Sequence, residues 1–209
     1  MAGTMSQADL VADLKRSLHD SATVFDAAAD ADFVRFLNQA LPDMGWKRPI
    51  TRLGQVTLDS AVADYSLAAY PDFLTYKTHM WEAQGACPQP WEPGYPGAVP
   101  RVRAYMNGSG QWLGFEPGPS AAHIAVRGST FKFYYFAQHA IGVAAVDTTV
   151  ALQDRGLLIL RAQAEAMLEL TLRNAGKPVA LRDGLSGTPR NSTPRALYQA
   201  LLAAFMEAR

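Results

Sequence analysis

The 209-residue chain has a single cysteine, Cys87, which excludes an internal disulfide and any multi-cysteine metal site. It lacks an excess of charge: 19 Lys and Arg balance 19 Asp and Glu. A chain with zero formal net charge is not, taken as a whole, an electrostatic glove for nucleic acid or an anionic membrane. Long apolar runs are missing too. The longest uncharged one, Ala137 to Val146, is interrupted by Gln138 and His139 and is too short to span a bilayer. The opening MAGTMSQADLVADLKRS has no apolar signal core, so the expectation is a soluble protein made without export.

Recognisable catalytic patterns are also lacking. His19, His79, His123 and His139 are scattered; none forms HExxH and none stands at zinc spacing from the cysteine. His139, which follows an aromatic strand, reads as a hydrogen-bonded structural residue. Cys87 with a distant histidine is formally a nucleophile pair, but its Pro-rich setting has no helix N-terminus to lower the thiol pKa. Gly108-Ser109-Gly110 reads as a turn with no helix after it to cradle phosphate. Gly184-Leu185-Ser186-Gly187 lacks the spacing of a nucleophile elbow. Carboxylate pairs such as Asp147 or Asp154 with Glu165 are not placed together by the sequence. The expectation is a chain that is not an enzyme, with no catalytic residue, cofactor or metal.

What the chain does have is 49% hydrophobic residues, enough for a real core, arranged in three regions. In the first, Leu10, Val11, Leu14 and Leu18 recur at helical spacing behind Ser6 as N-cap. A second helix is predicted from Asp30 to Leu41 on the stripe Phe33, Phe36, Leu37, stopped by Pro42. The second region is strand-like: Ile50 to Leu58, Asp72 to Trp81, and the aromatic run Thr130 to Phe136. RVRAYM-NGSG-QWLGF reads as a hairpin. Between Cys87 and Pro100 five prolines in fourteen residues exclude a helix interior or a central strand, leaving an extended excursion that Trp91 and Tyr95 pin to a neighbouring surface. The many aromatics of this region lack interleaved basic residues, so packing is a better reading than base stacking. In the third, Asp154 to Ala175 is predicted helical on Leu157, Leu160, Ala164, Met167 and Thr171. Arg161–Glu165 and Glu169–Arg173 are placed as pairs on its exposed side, with Gly176 and Pro178 as the stop.

The predicted class is therefore α+β: N- and C-terminal helices packed together, an inserted antiparallel β-rich region, and a long C-terminal arm ending in a helix. Residues 1–47 and 140–176 are expected to form the helical core, 48–139 the insertion with its excursion at 87–100, and 177–209 the arm. That arm carries Lys177, Arg182, Arg190 and Arg195 against only Asp183, and reads as a flexible tether more readily than as a phosphate-binding loop. Its last helix, after the cap candidates Asn191, Ser192 and Thr193, has no charge from Ala196 to Met206. Leu197, Leu201 and Phe205 line one side, and Tyr198, Leu202 and Met206 the next. A surface helix needs one apolar stripe, so this coverage implies burial on more than one face. Burying six such side chains contributes roughly 10 kcal/mol before entropy is subtracted. The second surface is either the chain's own core or another subunit.

Taken in order, the segments resemble head-to-tail connector adaptors (neck or head-completion proteins) of tailed bacteriophages. The opening DLKRSLHDSATVFDAAADADFVRFLNQAL is similar to their start, with a Leu-His-Asp turn and a second helix ending in "NxAL". RPITRLGQVTLDSAVADYSLAAYPDFL carries a signature at Thr57-Leu58 and Asp64-Tyr65-Ser66-Leu67. FKFYYFAQH, LLILRAQAEAMLEL and RNSTPRALYQALL complete the series over nearly the whole chain. The β insertion departs from branches of the family that are almost all helical. The resemblance implies a non-enzymatic virion protein, assembled in the host cytoplasm into a cyclic ring of about twelve copies. It also implies binding to the portal protein and to a downstream neck or tail protein, and passing contact with genomic DNA, with no membrane. Another phage neck or tail-completion protein at a different connector level is the first alternative, and an enzyme or nucleic-acid-processing protein of another family the second. The implied portal-docking residues are Arg190, Arg195, Leu197, Tyr198, Leu201, Leu202 and Phe205, on a segment expected to be loosely held in the free chain and helical in the ring.

Overall fold

The structure is a computed structural model that describes residues 4–25, 30–60, 62–108, 110–174 and 193–208. The fold is α+β, with its sheets antiparallel throughout. The chain divides into two compact units: Met1–Arg48 with His139–Arg209, and Pro49–Gln138.

The first unit is helical. Helix α1 (Gln7–Leu18) starts at Ser6, whose hydroxyl accepts the Asp9 amide, and buries Leu10, Val11, Leu14 and Leu18. Helix α2 (Ala31–Lys47) buries Phe33, Phe36 and Leu37 as their spacing predicts. It does not stop at Pro42. The helix runs five residues further because Ala40 and Met44, one turn apart, are both fully buried, and Asp43 on that added turn binds an arginine of the long helix. The packing outweighs the one backbone hydrogen bond that proline removes.

That long helix, α4 (Arg155–Asn174), packs against α1, α2 and the terminal helix α5 (Pro194–Glu207). Its buried apolar positions are Leu158, Ala162, Ala164, Ala166, Met167 and Leu170, a broader and shifted set than the predicted stripe. Alanines decide this, since three of them let neighbouring helices approach closely without marking a face by size. The Arg161–Glu165 pair is consequently not on the exposed side. The Arg161 side chain is 10% exposed, held at 2.6 Å by both Asp43 and Glu165. Burial lowers its pKa, but the two carboxylates outweigh it and leave the guanidinium above its ordinary value. Glu169–Arg173 does sit at the surface, at 3.0 Å. The predicted stop at Gly176 and Pro178 lies outside the described residues.

The second unit holds two three-stranded sheets. One has the order β1 (Ile50–Thr57), β6 (Thr130–Ala137), β3 (Phe73–Met80); the other β2 (Asp64–Ser66), β5 (Gly110–Glu116), β4 (Arg101–Asn107). The β4–β5 hairpin closes at Asn107 opposite Gly110, with Gly108 at φ +58°. Strand β6 alternates cleanly, burying Phe131, Phe133, Tyr135 and Ala137 as an aromatic spine. Strand β1 alternates only loosely because its one buried position is Gly54, across which the Phe133 ring lies; an added Cβ would meet that ring at 2.6 Å. A short helix, α3 (Ala121–Arg127), is the element that apolar periodicity misses. Its readable signal is the capping box of Ser120 with His123 and the stop at Gly128.

Two tyrosine hydroxyls secure backbone in this unit. Tyr70 Oη accepts the Gln55 N–H and donates to the Gln55 carbonyl, both at 2.7 Å, on the outer edge of strand β1. Tyr65 Oη likewise accepts the Asp59 N–H at 2.8 Å. Tyr70→Phe keeps the edge contacts of its ring with Phe133 and Tyr135 and loses only the hydroxyl. It is expected to cost about 1–2 kcal/mol in urea unfolding. A loss below a few tenths would mean that water replaces both bonds.

Candidate docking surface

The terminal helix α5 is built from its cap inward. Thr193 accepts the Ala196 amide at 3.2 Å and Pro194 occupies the first turn, where its missing N–H is not needed. At the other end Lys47 Nζ reaches the Met206 carbonyl at 2.6 Å and lies over the Phe205 ring, a cation where the helix exposes its free carbonyls.

The candidate docking residues separate into two groups. Phe205 is 2% exposed and belongs to the helical core, and Tyr198 and Leu201 are half-buried against the same core. Leu202 is half-buried, while Arg195 and Leu197 are exposed. Met206, which is not among the implied docking residues, is 68% exposed. Arg190 lies outside the described residues. Residues 194–207 are helical and seated on α4 in the single chain, where the sequence reading has this segment loosely attached. The inward spacing of Tyr198, Leu201 and Phe205 produces that seat, and the remaining apolar side chains stay outside it.

The other singled-out residues serve structure. His139 is nearly buried, with Nε2 at 2.7 Å from the Arg48 carbonyl, and so ties together the two points where the chain leaves and re-enters the helical unit. His123 Nε2 meets the Ala98 carbonyl at 3.0 Å and holds the end of the Pro-rich excursion. Trp91 and Tyr95 do not pin that excursion within the chain, since both are exposed. Cys87 is exposed as well. Asp154 pairs with Arg48 and Glu165 with Arg161, so they form no carboxylate pair with each other. Among the described residues no group of three His, Cys, Asp or Glu is placed to hold a metal ion, and no helix is long and apolar enough to cross a membrane.

His79 lines a cavity of about 620 Å³ in the β unit with Tyr76, Trp81 and Arg127 among its walls. Its Nδ1 is 2.5 Å from the Tyr76 hydroxyl and its ring lies against Phe131. Burial, reinforced by the Arg127 cation, holds the imidazole below its ordinary value, and burial pushes the Tyr76 hydroxyl up to about 12. As pH falls, the unfolded chain takes up the His79 proton before the folded one does. The stability His79 contributes is thus complete above the unfolded pKa and is lost as pH drops through the folded one. His79→Gln is expected to flatten the decline in thermal stability between about pH 7 and about pH 5. An unchanged slope would assign the decline to other groups.

No protein-family model and no curated protein sequence matches the chain. Among solved structures it is similar to the neck of an empty gene transfer agent (GTA) particle computed with C6 symmetry, at 14% identity and a TM-score of 0.29. The likeness covers 91% of this chain and 87% of that one.

Proposed function

We propose that this chain is a structural component of a phage-type neck: a head-to-tail adaptor that assembles as a ring, joins the portal to the tail or neck, and lines the DNA channel. The observation that carries the reading is the terminal helix. It is anchored on the chain's own core by Phe205 and still presents Leu197 and Met206 to solvent. A helix held in place by its buried face, with Leu197 uncovered on one flank and Met206 and the half-buried Leu202 on the other, is suited to docking in a groove, and the adaptor-like order of segments favours the portal as its partner. Docking then runs through Arg190, Arg195, Leu197, Leu202 and Met206, with Tyr198, Leu201 and Phe205 holding the helix in place. Arg195 supplies a rim charge that steers association.

Electron microscopy of assembled particles, with the chain carrying a small density tag, tests this reading. A ring of tag density between portal and tail is expected. Tag density elsewhere in the particle, or particles that assemble normally without the chain, would overturn it. Density at the neck but one level below the portal would assign the chain to the neck or tail-completion alternative.

A further inference from the structure

The loop joining β6 to α4 holds an apolar tip out into solvent. Val143 is 83% exposed and Val146 is 88% exposed. The loop is braced from beneath. Gln7 N–H donates to the Gly142 carbonyl at 3.1 Å, and Thr148 Oγ1 donates to the Met5 carbonyl at 2.7 Å while accepting the Gly142 amide. Gly142 is in such close contact with Asp147 that a side chain there has no room. On the inner side Ile141 and Ala145 pack on the helical core. Two exposed valines on a loop held this firmly pay little further ordering cost on binding, as a docking knob requires.

A groove of matching character lies elsewhere on the same unit. It is a cleft of about 580 Å³ between the C-terminal half of α1 and the first turns of α4, walled by Ile159 and Leu160 and rimmed by Arg16 and His19. At Gly156 on its wall an added Cβ meets nothing within 4 Å. Arg155 in the same wall is already held at 2.6 Å by Asp13, whereas the Arg16 side chain is 81% exposed with its nearest carboxylate at 3.4 Å. Asp147, exposed beside the two valines, offers a second carboxylate to Arg16, whose pairing with Asp13 is long and solvent-facing. The knob and groove also occupy opposite flanks of α1. Val143 lines the cleft on the α2 side with Ala8, Ala12 and Lys15, and the groove uses Asp13, Arg16 and Ser17 on the α4 side.

We infer that the Val143–Asp147 tip of one copy seats in the α1–α4 groove of the next, with Asp147 meeting Arg16. A knob and groove on different flanks of α1 leave the groove of one copy free when its own knob is seated in the next. They generate a head-to-tail contact that repeats from copy to copy. The inference deepens the ring proposed above and rests on it for closure of the series; the contact itself rests on the two surfaces.

Sedimentation velocity of the full chain up to about 1 mM tests the contact, with circular dichroism and thermal unfolding as fold controls. Wild type is expected to form species beyond the dimer as concentration rises. Val143→Asp, Val146→Asp and the groove-filling Gly156→Leu are each expected to weaken association at least about tenfold, the scale of a central interface residue. Their melting temperatures should hold, because the valines are exposed and Gly156 is helical with open space around it. Asp147→Arg and Arg16→Asp should each weaken association, and the double variant should restore it. A monomeric wild type, unaffected single variants, or no restoration by the charge swap would each overturn the contact. Particle microscopy is a separate readout. Neck density with a failed charge swap retires this interface alone, and a successful swap with no neck density retires the neck reading alone.

Discussion

Phe205→Ala is expected to destabilise the helical unit by about 3–5 kcal/mol in denaturant unfolding and to release α5 from α4. Phe205 is the one buried side chain of α5, and it packs into the same cluster as Phe36, Met44 and Ala162. Removing the ring leaves a cavity at the point that secures the helix, and also removes the surface under the Lys47 ammonium, 5.2 Å from the ring centre. Leu197→Ala and Met206→Ala provide the contrast. Both side chains are exposed, so each should cost within about 0.5 kcal/mol in the same measurement. If those two substitutions instead impair portal binding while Phe205→Ala is read as a folding defect, the buried face of α5 and its two exposed flanks are separated by experiment. A loss below about 1 kcal/mol for Phe205→Ala would mean that α5 is not seated as described.

The second large effect belongs to the aromatic spine. Phe133 is fully buried, stacks on Phe131 at 6.2 Å, and lies 5.9 Å from Tyr135. Phe133→Ala is expected to cost about 3–5 kcal/mol. Gly54→Val should cost about 1–3 kcal/mol, because its side chain enters space the ring already fills. The two changes act on one volume. The double variant is therefore expected to be clearly more stable than the sum of the singles allows, by 1 kcal/mol or more in a double-mutant cycle. Simple additivity would show that the ring and the glycine do not share that space.

Much of the framework is legible in the chain itself. Stripes such as Leu10–Leu14–Leu18 and Phe33–Phe36–Leu37 repeat at helical spacing, and Phe131, Phe133 and Tyr135 alternate with exposed neighbours, because burial on one face imposes those periods. Asn107-Gly108 marks its hairpin for the local reason that a tight turn needs a positive φ. Caps at Ser6 and Thr193 are local in the same sense. Each of these signals depends on residues within a turn or two of one another.

What periodicity does not carry is the choice between surfaces. The apolar excess of α5 was readable, but which side faces the chain's own core was not, because Leu197 and Leu201 are equally apolar in sequence. Contact with α4 decides it, covering Tyr198, Leu201 and Phe205 and leaving Leu197 and Met206 outside. Pro42 reads as a helix stop until the burial of Met44 is known. Arg161 reads as a surface ion-pair partner until Asp43 arrives from α2 to join Glu165 around it. The Val143–Asp147 tip and the groove beside Arg16 carry no sequence signal at all, since their relation depends on which flanks of α1 face α2 and α4. Sequence alone determined most of the elements, the caps at Ser6 and Thr193 and the α+β class, through short-range periodicity and turn chemistry. Only the tertiary structure decided which apolar and charged side chains are used inside the chain and which stay available to another, because that depends on contacts between residues far apart in sequence.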